Sequence, residues 1–367
     1  MHLCTSKSDE ERIIFKTEQI LLLYFNGGFL FMDTNDTYQE ELTVAEVSTL
    51  WTSYQNDTMM ICGLRHFLTH VTDEEIRSIL EQYLAISKEH QKKITDIFNA
   101  ENYPIPLGFT EQDVNLDAPR LFSDRIYLDL MLNVANFSMA IYGLASSQVE
   151  RDDIIQFYTE AVDETQRMYK ITKDTAKTKS LYIRYPQIPK PKQIDFVTDD
   201  SFLTGFFGEK RPLLGVEITA LVLNIRRNAL GQALVAGFAQ VAQSKEVRKY
   251  FERGRDIATK QLEVFTSILN EEYISDGARI LTSEVTNSTT APFSDKLMMF
   301  LVTTLIASGM GQYGTSMSVS PRHDLGVHYA RLMAEIGKYA NKGANILIDN
   351  EWMEQPPIAA DRKKLAK

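Results

Sequence analysis

Shifted against itself by 171 positions, the chain repeats: residues 41–196 fall on 212–367 without a gap. Phe122-Ser123-Asp124 returns as Phe293-Ser294-Asp295, Tyr142-Gly143 as Tyr313-Gly314, and Arg151 with Asp153 as Arg322 with Asp324. Periodicity on this scale restricts the fold to two copies of one folding unit. A chain of 367 residues also exceeds what one hydrophobic core usually organises.

Each copy reads as four helices. In the first, Val44, Val47, Trp51, Tyr54, Thr58 and Ile61 recur at helical spacing over residues 43–69. Thr72-Asp73-Glu74-Glu75 opens a second helix, because free amides at a helix start need acceptors and the helix dipole favours acids there. Ile76, Leu80, Tyr83, Ser87, His90, Ile94 and Ile97 form its inward stripe. Residues 101–122 hold three prolines and no apolar period, so they read as a loop long enough to run the length of a bundle. Ser123 caps a third helix over 124–145, and a fourth spans about 150–176. The second copy repeats the plan from Val216 to Asn350. No strand-rich segment occurs, so the expected class is all-α, two four-helix bundles in tandem.

The expected domain boundaries are a leader at 1–37, a first bundle at 38–184, a linker at 185–210 and a second bundle at 211–367. The linker rests on Tyr185-Pro186-Gln187-Ile188-Pro189-Lys190-Pro191, whose prolines exclude helix. The leader's apolar run, Ile20 to Tyr24 and Phe29 to Met32, is broken by Asn26-Gly27-Gly28 and preceded by Asp9-Glu10-Glu11. That suits an additional helix, or a stretch upstream of a start at Met32, better than a secretory signal. Leu297 to Pro321 carries no charge over a length that could span a bilayer. Its hydroxyls, and Asp129 in the matching stretch Leu128–Gln148, point instead to a buried central helix. Gly309, Gly311 and Gly314 would let another helix approach closely, giving an expected contact between copies or between chains.

A net charge of −10 argues against a nucleic-acid backbone or an anionic membrane as partner. Two cysteines, Cys4 and Cys62, make no disulfide framework and suit a reducing cytoplasm. No phosphate-binding loop, dinucleotide fingerprint, nucleophile elbow or Cys-x-x-Cys occurs.

A four-helix bundle invites a di-iron test, which requires Glu-x-x-His on two helices. None of the six histidines has Glu three residues before it. A softer set remains. Asp57, His90 and Glu164 lie near the middles of the first, second and fourth helices, at one level of an antiparallel bundle. They form either a site for iron or another transition metal, or a polar layer that fixes helix register. Moved by 171 they become Asn228, Gln261 and Glu335, no metal set. Cys62, His66 and His70 share one helical face, a pattern that suits a soft metal, but the second copy has Ala233, Gly237 and Val241. Arg77 with Glu81, and Arg248 with Glu252, read as surface ion pairs. Glu46 and Glu217 read as first-turn acids, and Arg151 with Asp153 as a loop tie.

The block GFTEQDVNLDAPRLFSD at 108–124, followed by Ser147, Arg151, Asp153 and YPQIPKP at 185–191, resembles a bacterial family, chiefly from Gram-positive spore formers, known only as a domain of unknown function. The resemblance covers both copies and implies ferritin-like four-helix bundles with 101–122 as the long crossover. It implies no activity and no catalytic residue. The second copy departs from it where Ala278-Arg279-Ile280-Leu281 replaces the Gly-Phe-Thr-Glu block. Two functional expectations follow. One is a non-catalytic bundle that binds a partner protein, a second copy as a homodimer, or a small apolar ligand. The other is a degenerate ferritin-like metalloprotein with one site in the first copy.

Overall fold

The computed structural model describes residues 41–206, 210–275 and 281–366; the leader expected at 1–37 lies outside the described residues. Eight long helices carry the fold: α1 Val44–His70, α2 Glu74–Ala100, α3 Asp124–Ser146, α4 Asp152–Thr178, α5 Gly215–Val241, α6 Lys245–Glu271, α7 Asp295–Ser318 and α8 His323–Asp349. A short α9, Arg362–Leu365, follows. Every long helix of the second repeat starts 171 residues after its counterpart, so the duplication is structural as well as textual.

Local chemistry sets the helix starts. Thr43 and Glu46 form a reciprocal capping box on α1, Asp73 accepts the N–H groups of Glu75 and Ile76 on α2, and Ser123 and Ser294 cap α3 and α7. The starts of α4 and α8 have no side-chain cap of their own. Glu46 supplies it for α4: its Oε1 accepts the N–H groups of Glu150 (3.0 Å) and Arg151 (2.8 Å), while its Oε2 accepts that of Thr43 (2.7 Å). Glu217 does the same for α8 through Arg322 N–H (3.3 Å), and also takes both arms of Arg211 at 2.8 Å. Burial pushes both carboxyls up, but these donors win and hold them below the usual range. The first-turn acids thus tie the first helix of each repeat to the fourth.

Arg151 and Arg322 complete the same joint. Arg322 donates to both oxygens of Asp324 (2.8 and 3.1 Å) and to Arg211 O (3.2 Å), and pairs with Glu272 at 3.4 Å. Arg151 pairs likewise with Asp153 and Glu101. Arg77 and Arg248 differ from expectation. Arg77 donates to the carbonyls of Leu68 (3.0 Å) and Val71 (2.6 Å), and Arg248 to that of Ala242 (2.8 Å), so each closes the end of the preceding helix instead of pairing with the glutamate one turn on. Free terminal carbonyls are the stronger attraction for a nearby guanidinium.

The two repeats meet through their crossover loops, and the pairing is reciprocal. Asn115 N–H donates to Pro292 O and Thr286 N–H to Leu121 O, both at 2.9 Å. Ser123 N–H donates to Glu284 O and Ser294 N–H to Asp113 O, both at 3.0 Å. The isolated bridges Val114–Phe293 and Phe122–Val285 exchange under the same shift. Contacts of the form i to j′ and j to i′ define a local pseudo-two-fold axis, the arrangement of an isologous dimer within one chain. Phe122 fills the space over Gly237 and packs on Phe238, while Phe293 packs on His66. Gly108, at φ 60°, crosses Thr58 too closely for any Cβ.

At Gly309, Gly311 and Gly314, by contrast, an added Cβ would meet nothing within 4 Å. Among the described residues the glycine contact expected between copies is therefore absent there. Helix α7 is not a buried central helix either; like α3 it is long and apolar enough to cross a membrane by length and composition, yet most of its apolar window is not buried.

Among the described residues the second-repeat core is continuous with the larger part of the first. The remainder of the first, around Leu50, Ile94, Phe98, Ile154 and Tyr158, forms a separate cluster. A polar layer and a cavity divide them.

Candidate functional site

His90, on the inward stripe of α2, stands between two carboxylates. Its Nε2 lies 2.8 Å from Glu164 Oε2 on α4, and its Nδ1 lies 3.6 Å from Asp57 Oδ2 on α1. Asp57 and His90 are 4% and 3% exposed; the Glu164 side chain, at 31%, reaches the surface. The three residues anticipated from helix level are thus brought together. The contact to Asp57 exceeds hydrogen-bond length, so it is electrostatic, and both facing atoms lack hydrogen-bond partners.

Charge follows from this placement. Burial alone would push the His90 imidazole down, but the attraction of Asp57 and the hydrogen bond and charge of Glu164 outweigh it and raise the group to about 9. Burial also raises Asp57, an effect eased by His90 and by Ser87 and reinforced by the Glu164 charge. Burial, and then the nearby Asp57, lift the Tyr142 phenol well above its ordinary range. At neutral pH His90 is therefore an imidazolium, with Tyr142 edge-on to the ring at 5.9 Å.

The two ring nitrogens of His90 face carboxylates on opposite edges. The three side chains therefore do not converge on a common point. Among the described residues no group of three or more His, Cys, Asp or Glu is arranged to hold a metal ion. Cys62, His66 and His70 are turned to backbone instead. Cys62 donates to Thr110 O (3.3 Å), and both histidines contact Ala118 O (3.3 and 2.8 Å). Burial pushes the Cys62 thiol up to about 11 and His66 down to about 4, leaving both uncharged.

The second repeat has the same layer in neutral form. Asn228 donates to Tyr313 Oη at 2.7 Å, and Tyr313 donates to Gln261 Oε1 at 2.8 Å. Glu335 turns outward to Lys260 at 3.0 Å. The structure adds Tyr142, Ser87 and Thr165 to the sequence set. Tyr142 was signalled by its recurrence as Tyr313.

Over the charged layer lies a cavity of about 370 Å³, within the range of small-molecule sites. Its walls are largely apolar: Met59, Leu64, Val134 and Phe137 from the first repeat, and Leu301 and Leu305 of α7 from the second. Asp57, Ser87, His90, Tyr142 and Thr165 are among its polar lining residues. The matching cavity of the second repeat measures about 110 Å³. There Ile336, Tyr339 and Arg227 stand where the first repeat has Thr165, Met168 and Asn56. Tyr339 enters because Gly254 leaves it room, and it stacks on Tyr250 at 4.2 Å. Gly254→Ala would place a Cβ against the Tyr339 hydroxyl, with an expected loss of about 1–3 kcal/mol. Gly63→Ala, in open space on α1, is expected to gain about 0.5–1 kcal/mol; paired thermal denaturation curves check both.

The fold and site define a class, an all-helical protein of two tandem repeats with one enlarged inter-helix cavity. The chain belongs to the family described as Protein of unknown function (DUF3231), whose model matches residues 31–194 and again 201–365. A search of curated proteins gives no significant match. Among solved structures, the chain is similar to one from Bacillus halodurans C-125 described as a candidate spore coat protein. The identity is 17% and the TM-score 0.38, covering 41% of this chain and 98% of that one.

Proposed function

We propose that this is a non-catalytic binding protein that holds a small apolar ligand in the first-repeat cavity, over the Asp57–His90–Glu164 layer. The observation that carries this reading is the difference between the two cavities, about 370 Å³ against about 110 Å³, at equivalent positions of one duplicated fold. Ile336 and Arg227, which narrow the second, are the smaller Thr165 and Asn56 in the first. Native interiors are close-packed, and an apolar void of this size forfeits contacts that a ligand restores.

Titration with the neutral fluorescent probe N-phenyl-1-naphthylamine tests this. Gly63→Leu gives α1 the residue the second repeat carries as Leu234, and there is room for it. The expected result is saturable binding by wild type, weakened at least tenfold in the variant. Equal binding by both, or none by either, contradicts the proposal.

The alternative, a ferritin-like metalloprotein with iron or another transition metal at Asp57, His90 and Glu164, draws support from the 2.8 Å contact between His90 and Glu164. The opposed ring nitrogens weigh against it. Elemental analysis separates the two readings. Near-stoichiometric metal that disappears in Glu164→Gln supports the alternative, and metal-free protein after incubation with ferrous iron and zinc supports the apolar-ligand site.

A further inference from the structure

A third cavity, of about 110 Å³, lies where α3, the end of α4, residues 181–185 and α5 meet. Three arginines line it, Arg125 of α3 and the adjacent Arg226 and Arg227 of α5. Asp129 is the one carboxylate among its described lining residues. In a chain of net charge −10, such a concentration of guanidinium is against the trend.

Arg125 faces two carboxylates at ion-pair distance, whereas Arg226 and Arg227 donate to uncharged oxygens. Arg125 pairs through Nε with Asp129 at 3.6 Å and through Nη1 with Glu284 at 3.7 Å, both beyond hydrogen-bond length, so its buried Nε makes no hydrogen bond among the described residues. Arg226 donates to the carbonyl of Ile183, and its buried Nε makes no hydrogen bond among the described residues. Arg227 donates to Ser308 of α7. A buried guanidinium with unmet N–H donors is costly unless an anion meets it. Aromatic rings hold the fork in place: the Arg226 guanidinium lies 4.2 Å from the Tyr185 ring centroid and 5.6 Å from that of Tyr182.

We infer that these arginines form a binding site for a small, doubly charged oxyanion of the phosphate class. Planar forks match the oxygens of such an anion in pairs, and the positive excess from two helices supplies the charge. The cavity suits an inorganic oxyanion and is too small for a nucleotide. The site belongs to one half of the molecule, because the positions equivalent to Arg226 and Arg227 in the first repeat are Gln55 and Asn56. It is a separate cavity from the apolar one, although Asn133 lines both and Arg227 donates to Ser308 of the apolar wall.

The test is calorimetric titration of exhaustively dialysed full-length protein with sodium phosphate, with ionic strength held constant by chloride. The comparison variant is Arg226→Gln/Arg227→Asn, which installs residues the first repeat already tolerates. Saturable phosphate binding by wild type, weakened at least tenfold in the variant, is expected. Heats indistinguishable from chloride, or binding that survives in the variant, would overturn the assignment. Should the double variant fail to fold, Arg227→Lys keeps the charge and removes the fork. A loss of at least threefold then supports the site, and unchanged affinity overturns it.

Discussion

Replacing His90 by leucine is expected to lower stability at neutral pH by about 3–5 kcal/mol, as for a buried ion pair stripped of one partner. The double change Asp57→Asn/His90→Gln is expected to lie within about 1.5 kcal/mol of wild type, as a same-shape replacement that leaves no buried group unpaired. In the single variant Asp57, 4% exposed, keeps its carboxylate with no cation beside it. It can escape only by protonating, which limits the loss in acid. The double variant writes the second repeat's residues into the first. Tyr142 already occupies the place of Tyr313, so the neutral chain seen as Asn228–Tyr313–Gln261 can form. Urea denaturation followed by circular dichroism measures both changes.

The same layer sets a pH dependence. His90 titrates near 9 in the folded state, against an ordinary value of 6.5, so the folded protein binds its proton more tightly than the unfolded chain. That stabilisation is fully present below about 6.5 and is lost as pH rises through about 9. It is of order 3 kcal/mol at most. Asp57, also raised, adds in the same direction at lower pH, whereas Glu46 and Glu217, held down, favour folding above the carboxylate range. Asp57→Asn/His90→Gln should lack the decline between pH 6.5 and 9; a wild-type curve that is flat there would contradict this assignment.

The second large effect is expected at Arg322. Arg322→Leu should cost about 3–5 kcal/mol, because it leaves Asp324 buried and Glu272 unpaired and removes a donor to Arg211 O. Arg151→Leu, at the equivalent joint, should cost less. Its partner Asp153 is half exposed and can recover water, whereas Arg322 is 1% exposed and Asp324 is closed in. Chemical denaturation of the two variants side by side gives the comparison, and equal losses would show that burial of the second joint does not matter.

The helices were legible because apolar period, capping hydroxyls and first-turn acids all agree along each segment, and the repeat supplied every boundary twice. The His90 layer was legible for a related reason: helix length fixes level, and an ionisable residue on an inward stripe must find a partner. The pairing of the two crossover loops was not, since it runs through backbone groups that carry no sequence signature. That hid the second-repeat wall of the large cavity, which α7 provides. Arg77 was misread because spacing of four names a neighbour, while the geometry offers it two free carbonyls. Gly309, Gly311 and Gly314 meet no other helix of this chain among the described residues, because small residues permit a close approach without requiring one. Arg226 and Arg227 passed unnoticed in a helix whose apolar residues dominate the pattern.

The account stands on the claim that duplication left one ligand-sized cavity in the first repeat and a closed, neutral copy in the second. Diffraction from crystals of the full chain soaked with N-phenyl-1-naphthylamine tests it most directly. The expected result is density for the probe between α1, α3 and α7, over His90 and Asp57, with the second-repeat cavity empty around Tyr339. Probe density in the second-repeat cavity instead, or in neither, would contradict it.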